Sequence, residues 1–167
     1  MKKTISILCT GLLLMACSSD DKPSEAFNFD ATVLVSLKDA KGGDLLDSNH
    51  ENAINIDDIR VFHVIDGFPV MYYDSNMDAP YGFILREPSP PYTTYYNIGF
   101  LLNTEESERP VTTTIIHWGG DWSDDTVVAE IESGDGYLMA AKVFYNGIEV
   151  VYQPTEYGDL PFVVIKE

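Results

Sequence analysis

The sequence predicts an all-β chain, an immunoglobulin-like or transthyretin-like β-sandwich that follows a signal peptide and a short linker. Three observations carry that expectation. From residue 31 onward the apolar residues recur with a period of two rather than 3.6. The Asx-Gly dipeptides Asp66-Gly67 and Asn146-Gly147 each stand between β-rich runs. No stretch has convincing helical periodicity, beyond a short turn expected within residues 48–58.

The elements follow in order. Residues 31–38 alternate around Val33, Val35 and Leu37 and stop before the Gly42-Gly43 turn. Residues 59–65 and 68–73 are two β-rich runs separated by Asp66-Gly67. That dipeptide specifies a type I′ hairpin, because both turn residues must adopt positive φ. Pro69 places the second run at a sheet edge, since proline donates nothing to a ladder. Pro88, Pro90 and Pro91 mark a stiff extended loop. Residues 95–102, 111–118 and 126–132 read as further strands. Residues 137–145 meet 148–152 across Asn146-Gly147 in a second hairpin, and 160–165 close the chain. About ten strands with turns every 8 to 12 residues argue for one sandwich.

The start of the chain is of a different kind. Met1-Lys2-Lys3 precedes an apolar run to Leu14, and a small residue, Ala16, precedes Cys17. A positive start, a short apolar stretch and a small residue before the cut are the parts of a secretory signal, and the stretch falls short of the roughly 20 residues that span a bilayer. Leu14-Met15-Ala16-Cys17 resembles the lipobox of bacterial lipoproteins, in which the cysteine thiol receives diacylglycerol before cleavage. The resemblance implies a signal peptide over 1–16, a lipidated tether over 17–29 and a sandwich domain over 30–167. Two or more acyl chains, at about 0.8 kcal/mol per buried methylene, make such an anchor stable. Ser18, where an aspartate would imply retention in the inner membrane, and the acidic run Asp20-Asp21 before Lys22 resemble the export signal of surface-exposed Bacteroidetes lipoproteins. The expected address is the outer membrane, exposed at the cell surface.

Composition then removes several functions. The chain of 167 residues carries a formal charge of −17, and loss of Lys2 and Lys3 with the signal leaves it more acidic still. Nucleic acid is excluded as a partner, because affinity for it comes from basic residues neutralising phosphates. Of two cysteines, Cys9 leaves with the signal and Cys17 is modified. Disulfides, thiolate metal sites and a cysteine nucleophile are therefore not expected.

Gly43-Asp44-Leu45-Leu46-Asp47, Ile59-Arg60-Val61-Phe62 and Lys142-Val143-Phe144-Tyr145-Asn146-Gly147 resemble segments of small surface-exposed lipoproteins of Bacteroides and related bacteria. The resemblance covers most of the chain after the signal. It implies the fold and the address and carries no assigned activity.

Candidate chemistry is sparse. His50, His63 and His117 lack a recognisable catalytic motif, and His63 is expected on the polar face of its strand, so no catalytic residue is assigned and a hydrolase ranks last. Asp74, Asn76 and Asp78 space oxygens as the first half of a calcium loop does, but Ala79 and Leu85 stand where that loop needs glycine and glutamate. Calcium is thus a weak candidate, and no other cofactor is expected. Trp118, Trp122, Tyr95 and Tyr96 are the candidate ligand platform, because aromatic rings give a large amphipathic contact area, and Trp122 is favoured by its place in a loop. Asp125-Thr126-Val127 resembles the O-glycosylation triplet of Bacteroidetes secreted proteins, with Thr126 as acceptor if it is exposed. The function expected is a non-enzymatic surface lipoprotein that binds a glycan or protein partner, with a structural or adhesive subunit as the alternative.

Overall fold

A computed structural model describes residues 28–104, 111–156 and 158–167. The signal segment and Cys17 lie outside the described residues. The described chain is all-β, as the alternation predicts, and its two main sheets pack in a sandwich-like arrangement.

The first sheet holds β1 (Asn28–Asp30), β3 (Arg60–Ile65), β4 (Phe68–Met71), β7 (Val111–His117), β8 (Asp125–Gly134), β9 (Tyr137–Tyr145) and β10 (Ile148–Glu149), in the order β1-β9-β8-β7-β3-β4 with β10 also on β9. The second holds β2 (Thr32–Asp39), β5 (Phe83–Arg86), β6 (Asn97–Leu101) and β13 (Phe162–Lys166), in the order β13-β2-β6-β5. A small hairpin of β11 (Gln153–Thr155) and β12 (Gly158–Leu160) stands apart. Both sheets are mixed, because β1 runs parallel to β9 and β13 parallel to β2.

Turn chemistry fixes the two expected hairpins, and a third, which the expectation omits, joins β8 to β9 across Asp135-Gly136, with Gly134 opposite Tyr137. Asp66 and Gly67 adopt φ of 51° and 84°, Asn146 and Gly147 48° and 80°, the double positive φ that a type I′ turn requires. Pro69 lies in β4, an edge strand, so its missing N–H costs no ladder bond on the side that pairs with β3. Residues 48–58 hold one 3-10 turn, Ile56–Asp58, whose amide at Asp57 is capped by the Asn55 side chain.

The core lies between the sheets. Val33, Val35, Leu37, Ile98 and Phe100 from the second sheet meet Val61, Ile116, Val127, Ala129 and Val143 from the first. Phe100 meets Trp118 edge-on at 5.4 Å, a geometry that the ring quadrupoles favour. Each of the valines, leucines, isoleucines and phenylalanines among them, removed from water, contributes about 1.5–3 kcal/mol.

Three expectations change. The ordered sheet includes Asn28 and Phe29, which the polar composition assigns to the tether, because their backbones pair with Tyr137 and Leu138. Phe83–Arg86 forms a strand that the periodicity does not reveal. His63 is not on the polar face: it is buried with 3% exposure, on the same side of β3 as Val61. Both faces of that strand carry apolar residues, so alternation alone leaves its parity undetermined.

Candidate functional site

The densest polar constellation among the described residues is buried at one end of the sandwich. Trp118 follows β7, Asp125 opens β8, Tyr145 closes β9, Asn146 begins the next turn and Lys166 ends β13. Asp125 Oδ2 accepts from Lys166 Nζ at 2.7 Å, Trp118 Nε1 at 2.8 Å and the Tyr145 hydroxyl at 2.5 Å. Its Oδ1 accepts from Asn146 Nδ2 at 2.8 Å. Lys166 also donates to the Ser123 carbonyl at 3.0 Å and lies 5.3 Å from the centre of the Trp118 ring.

Burial raises the Asp125 pKa, but donation from Lys166, Tyr145, Asn146 and Trp118 outweighs it, so the carboxyl is held below its usual range. Burial, followed by the Asp125 charge and hydrogen bond, pushes the Tyr145 phenol far above its usual value and keeps it a donor. Each carboxylate oxygen is occupied, and the cation has two acceptors. The arrangement therefore fastens β13 to β8 and β9 and leaves no group free for chemistry.

That network removes Trp118 from the candidate platform. Its ring is fully enclosed, with the indole N–H committed to Asp125. Tyr96 is half-buried against the core, and its backbone N–H donates to Asp44 Oδ2 at 2.8 Å. Tyr95 points elsewhere, 4.6 Å from the Lys38 ammonium, and lines a hollow with Val151, Leu160 and Phe162. Trp122 lines a separate shallow hollow of ≈ 250 Å³, together with Lys41, Asn52, Lys166 and Glu167. The four rings thus form no common platform, because Tyr95 and Tyr96 are successive residues and Trp118 is drawn inward by its polar partner.

The remaining candidates scatter. His117 Nδ1 lies 2.7 Å from Asp124 Oδ1 at an exposed position. Among the described residues neither partner bonds to a hydroxyl or a thiol. His50 Nε2 lies 3.3 Å from Asp39. His63 packs against the Tyr72 ring, tilted by 45° with centroids 4.8 Å apart, at a hollow of ≈ 230 Å³ lined also by Ile65, Val70, Met71, Tyr73 and Asp74.

At the calcium candidate the structure shows a local turn. Asp74 Oδ1 accepts from the Asn76 amide and side chain at 2.9 and 3.1 Å, and no group of three or more acidic, histidine or cysteine side chains gathers to hold a metal among the described residues. The same local turn recurs at Asp44 and Asp47. The alternate spacing of Asp and Asn that resembles a metal loop is the chemistry of Asx turns. Thr126 is exposed on β8.

Comparison with known families, curated proteins and solved structures finds no match for this chain.

A further hollow lies elsewhere. It measures ≈ 450 Å³ and is lined by Leu34, Ile84 and Leu101 of the second sheet and by Ala140 and Val143 of the first, with Arg86, Tyr152 and Asp159. Sequence reasoning misses it, because its floor is built across three strands that are far apart in the chain. One signal was present: Gly99 interrupts an otherwise apolar strand.

Proposed function

We propose that this chain is a non-catalytic binding module of the bacterial cell surface, held at the outer membrane by lipid on Cys17 and taking a glycan at Trp122. The observation that carries the reading is the half-buried indole of Trp122 in a shallow hollow beside Lys41, Asn52 and Glu167. A sugar ring presents C–H groups to an aromatic face and hydroxyls to the polar rim around it, and an open hollow admits one residue of a longer glycan. The acidic charge suits an exposed domain that stays soluble beside an anionic membrane. Exposed Thr126 fits a glycan acceptor.

A glycan array probed with the full chain tests the reading. Binding that disappears in Trp122→Ala supports it. Either no signal on the array or binding unchanged by Trp122→Ala overturns it.

The structural or adhesive alternative is favoured by one feature. Edge strand β4 exposes Phe68 (72%), Val70 and Met71, an apolar border of the kind that another strand covers.

A further inference from the structure

We propose that the ≈ 450 Å³ hollow is a second ligand site, built for a short apolar peptide with a free amine at one end and a free carboxylate at the other. It is independent of the glycan reading at Trp122.

The floor comes first. In the register of the second sheet, Leu34 lies opposite Gly99 and Gly99 opposite Ile84, so the three form one row across β2, β6 and β5. That row faces away from the core, since the neighbouring Val33, Val35, Ile98 and Phe100 are the buried ones. A glycine between two branched side chains makes a trough.

Nothing in the backbone demands that glycine. Gly99 is not among the residues with positive φ. A Cβ there would meet only Leu34 Cδ1, at an ordinary 3.8 Å. Glycine within a strand sacrifices stability and side-chain packing. Where neither φ nor crowding accounts for it, close approach of another molecule is the remaining physical reason.

The charges lie at opposite ends of the trough. The Tyr152 hydroxyl accepts from the Leu34 amide at 2.9 Å, and Asp30 and Asp159 are near enough to act on it. Both carboxylates line the hollow. Arg86 lies on β5, two residues beyond Ile84 and opposite Asn97, and has no ion pair among the described residues. From β2 to β5 is two strand spacings, about 10 Å. An extended peptide rises about 3.3 Å per residue, so roughly three residues bridge the acidic and basic ends.

This polarity selects a dipolar ligand. The chain's charge of −17 opposes a simple anion. A peptide brings its ammonium to Asp30 and Asp159 and its carboxylate to the guanidinium, which is suited to bidentate contact. Its apolar side chains lie over Leu34, Ile84 and Leu101.

Isothermal titration calorimetry of the full chain with trileucine, free at both ends, tests the proposal beside the N-acetylated and C-amidated forms. Saturable binding is expected, weakened at least about tenfold by either block. Gly99→Val, which suits a strand and fills the trough, is expected to abolish binding with no loss of thermal stability. Arg86→Gln, a surface change that needs no refolding of the core, is expected to weaken free trileucine and leave the C-amidated form unaffected. No heat with millimolar trileucine, equal binding of free and blocked peptides, or Arg86→Gln binding like the wild type would each overturn the proposal.

Discussion

Removing the charge of Asp125 is the sharpest test of how this sandwich is held closed. Asp125→Asn keeps the shape of the side chain and leaves the Lys166 ammonium, which is only 6% exposed, without a counter-charge, facing only neutral acceptors, the new amide oxygen and the Ser123 carbonyl. Breaking one side of a buried ion pair costs about 3–5 kcal/mol, because the surviving charge stays desolvated without compensation. With a urea slope of about 2 kcal/mol per molar, the unfolding midpoint moves down by about 2 M. Lys166→Met falls at the lower end of that range, since Trp118, Tyr145 and Asn146 still donate to the carboxylate.

The double variant is expected to cost less than the sum of the two by at least about 1 kcal/mol, because neither charge is left alone. Acid adds an independent reading. The folded Asp125 titrates below its unfolded value of about 4, so its contribution is complete above that pH and is lost as pH falls through the folded value. The acid limb of wild-type stability in that window is expected to flatten in Asp125→Asn. Urea melts of the four proteins between pH 3 and 7 measure all of this. Either single variant within about 1 kcal/mol of wild type, or strict additivity, refutes a coupled buried pair.

Two further outcomes follow from the same geometry and from the anchor. Gly119→Ala combines a φ of +78° with a Cβ position 2.4 Å from Asp58 Cβ, whereas Gly147→Ala meets nothing within 4 Å at φ +80°. Thermal melts should show about 1–2 kcal/mol lost at Gly147 from backbone strain alone and clearly more at Gly119. In cells fed a palmitate analogue, the full chain is expected to take up label and Cys17→Ser to lose it; label retained in Cys17→Ser removes the proposed anchor.

What could be read directly was what local chemistry determines. Asp66-Gly67 and Asn146-Gly147 specify their hairpins within two residues, and Pro69 specifies an edge. β5 stayed hidden because Ile84 faces the outer hollow, so the strand is apolar on both sides and only four residues long. Lys166 has the same inward parity as Val164, but its acceptor begins a strand more than one hairpin away in the chain. No local pattern announces such a pair. Trp118 and Trp122 show the same limit. Four residues apart, one is enclosed with its indole N–H on Asp125 and the other is half-buried at a hollow, a difference that their immediate neighbours in the chain do not announce.

The crossing of the N-terminal strand between sheets has a mechanical meaning. β1 belongs to the first sheet and, after Ala31 alone, β2 lies inside the second, flanked by β13 and β6. With the proposed lipid on Cys17, any drag on the domain enters through Asn28. The load first meets the three parallel pairs between β1 and β9, which are exposed and can peel away without opening the core. It then reaches β2, gripped on both sides. The exposed strand would yield first under drag, like a fuse, while the interior strand keeps the body of the domain intact at the end of its leash.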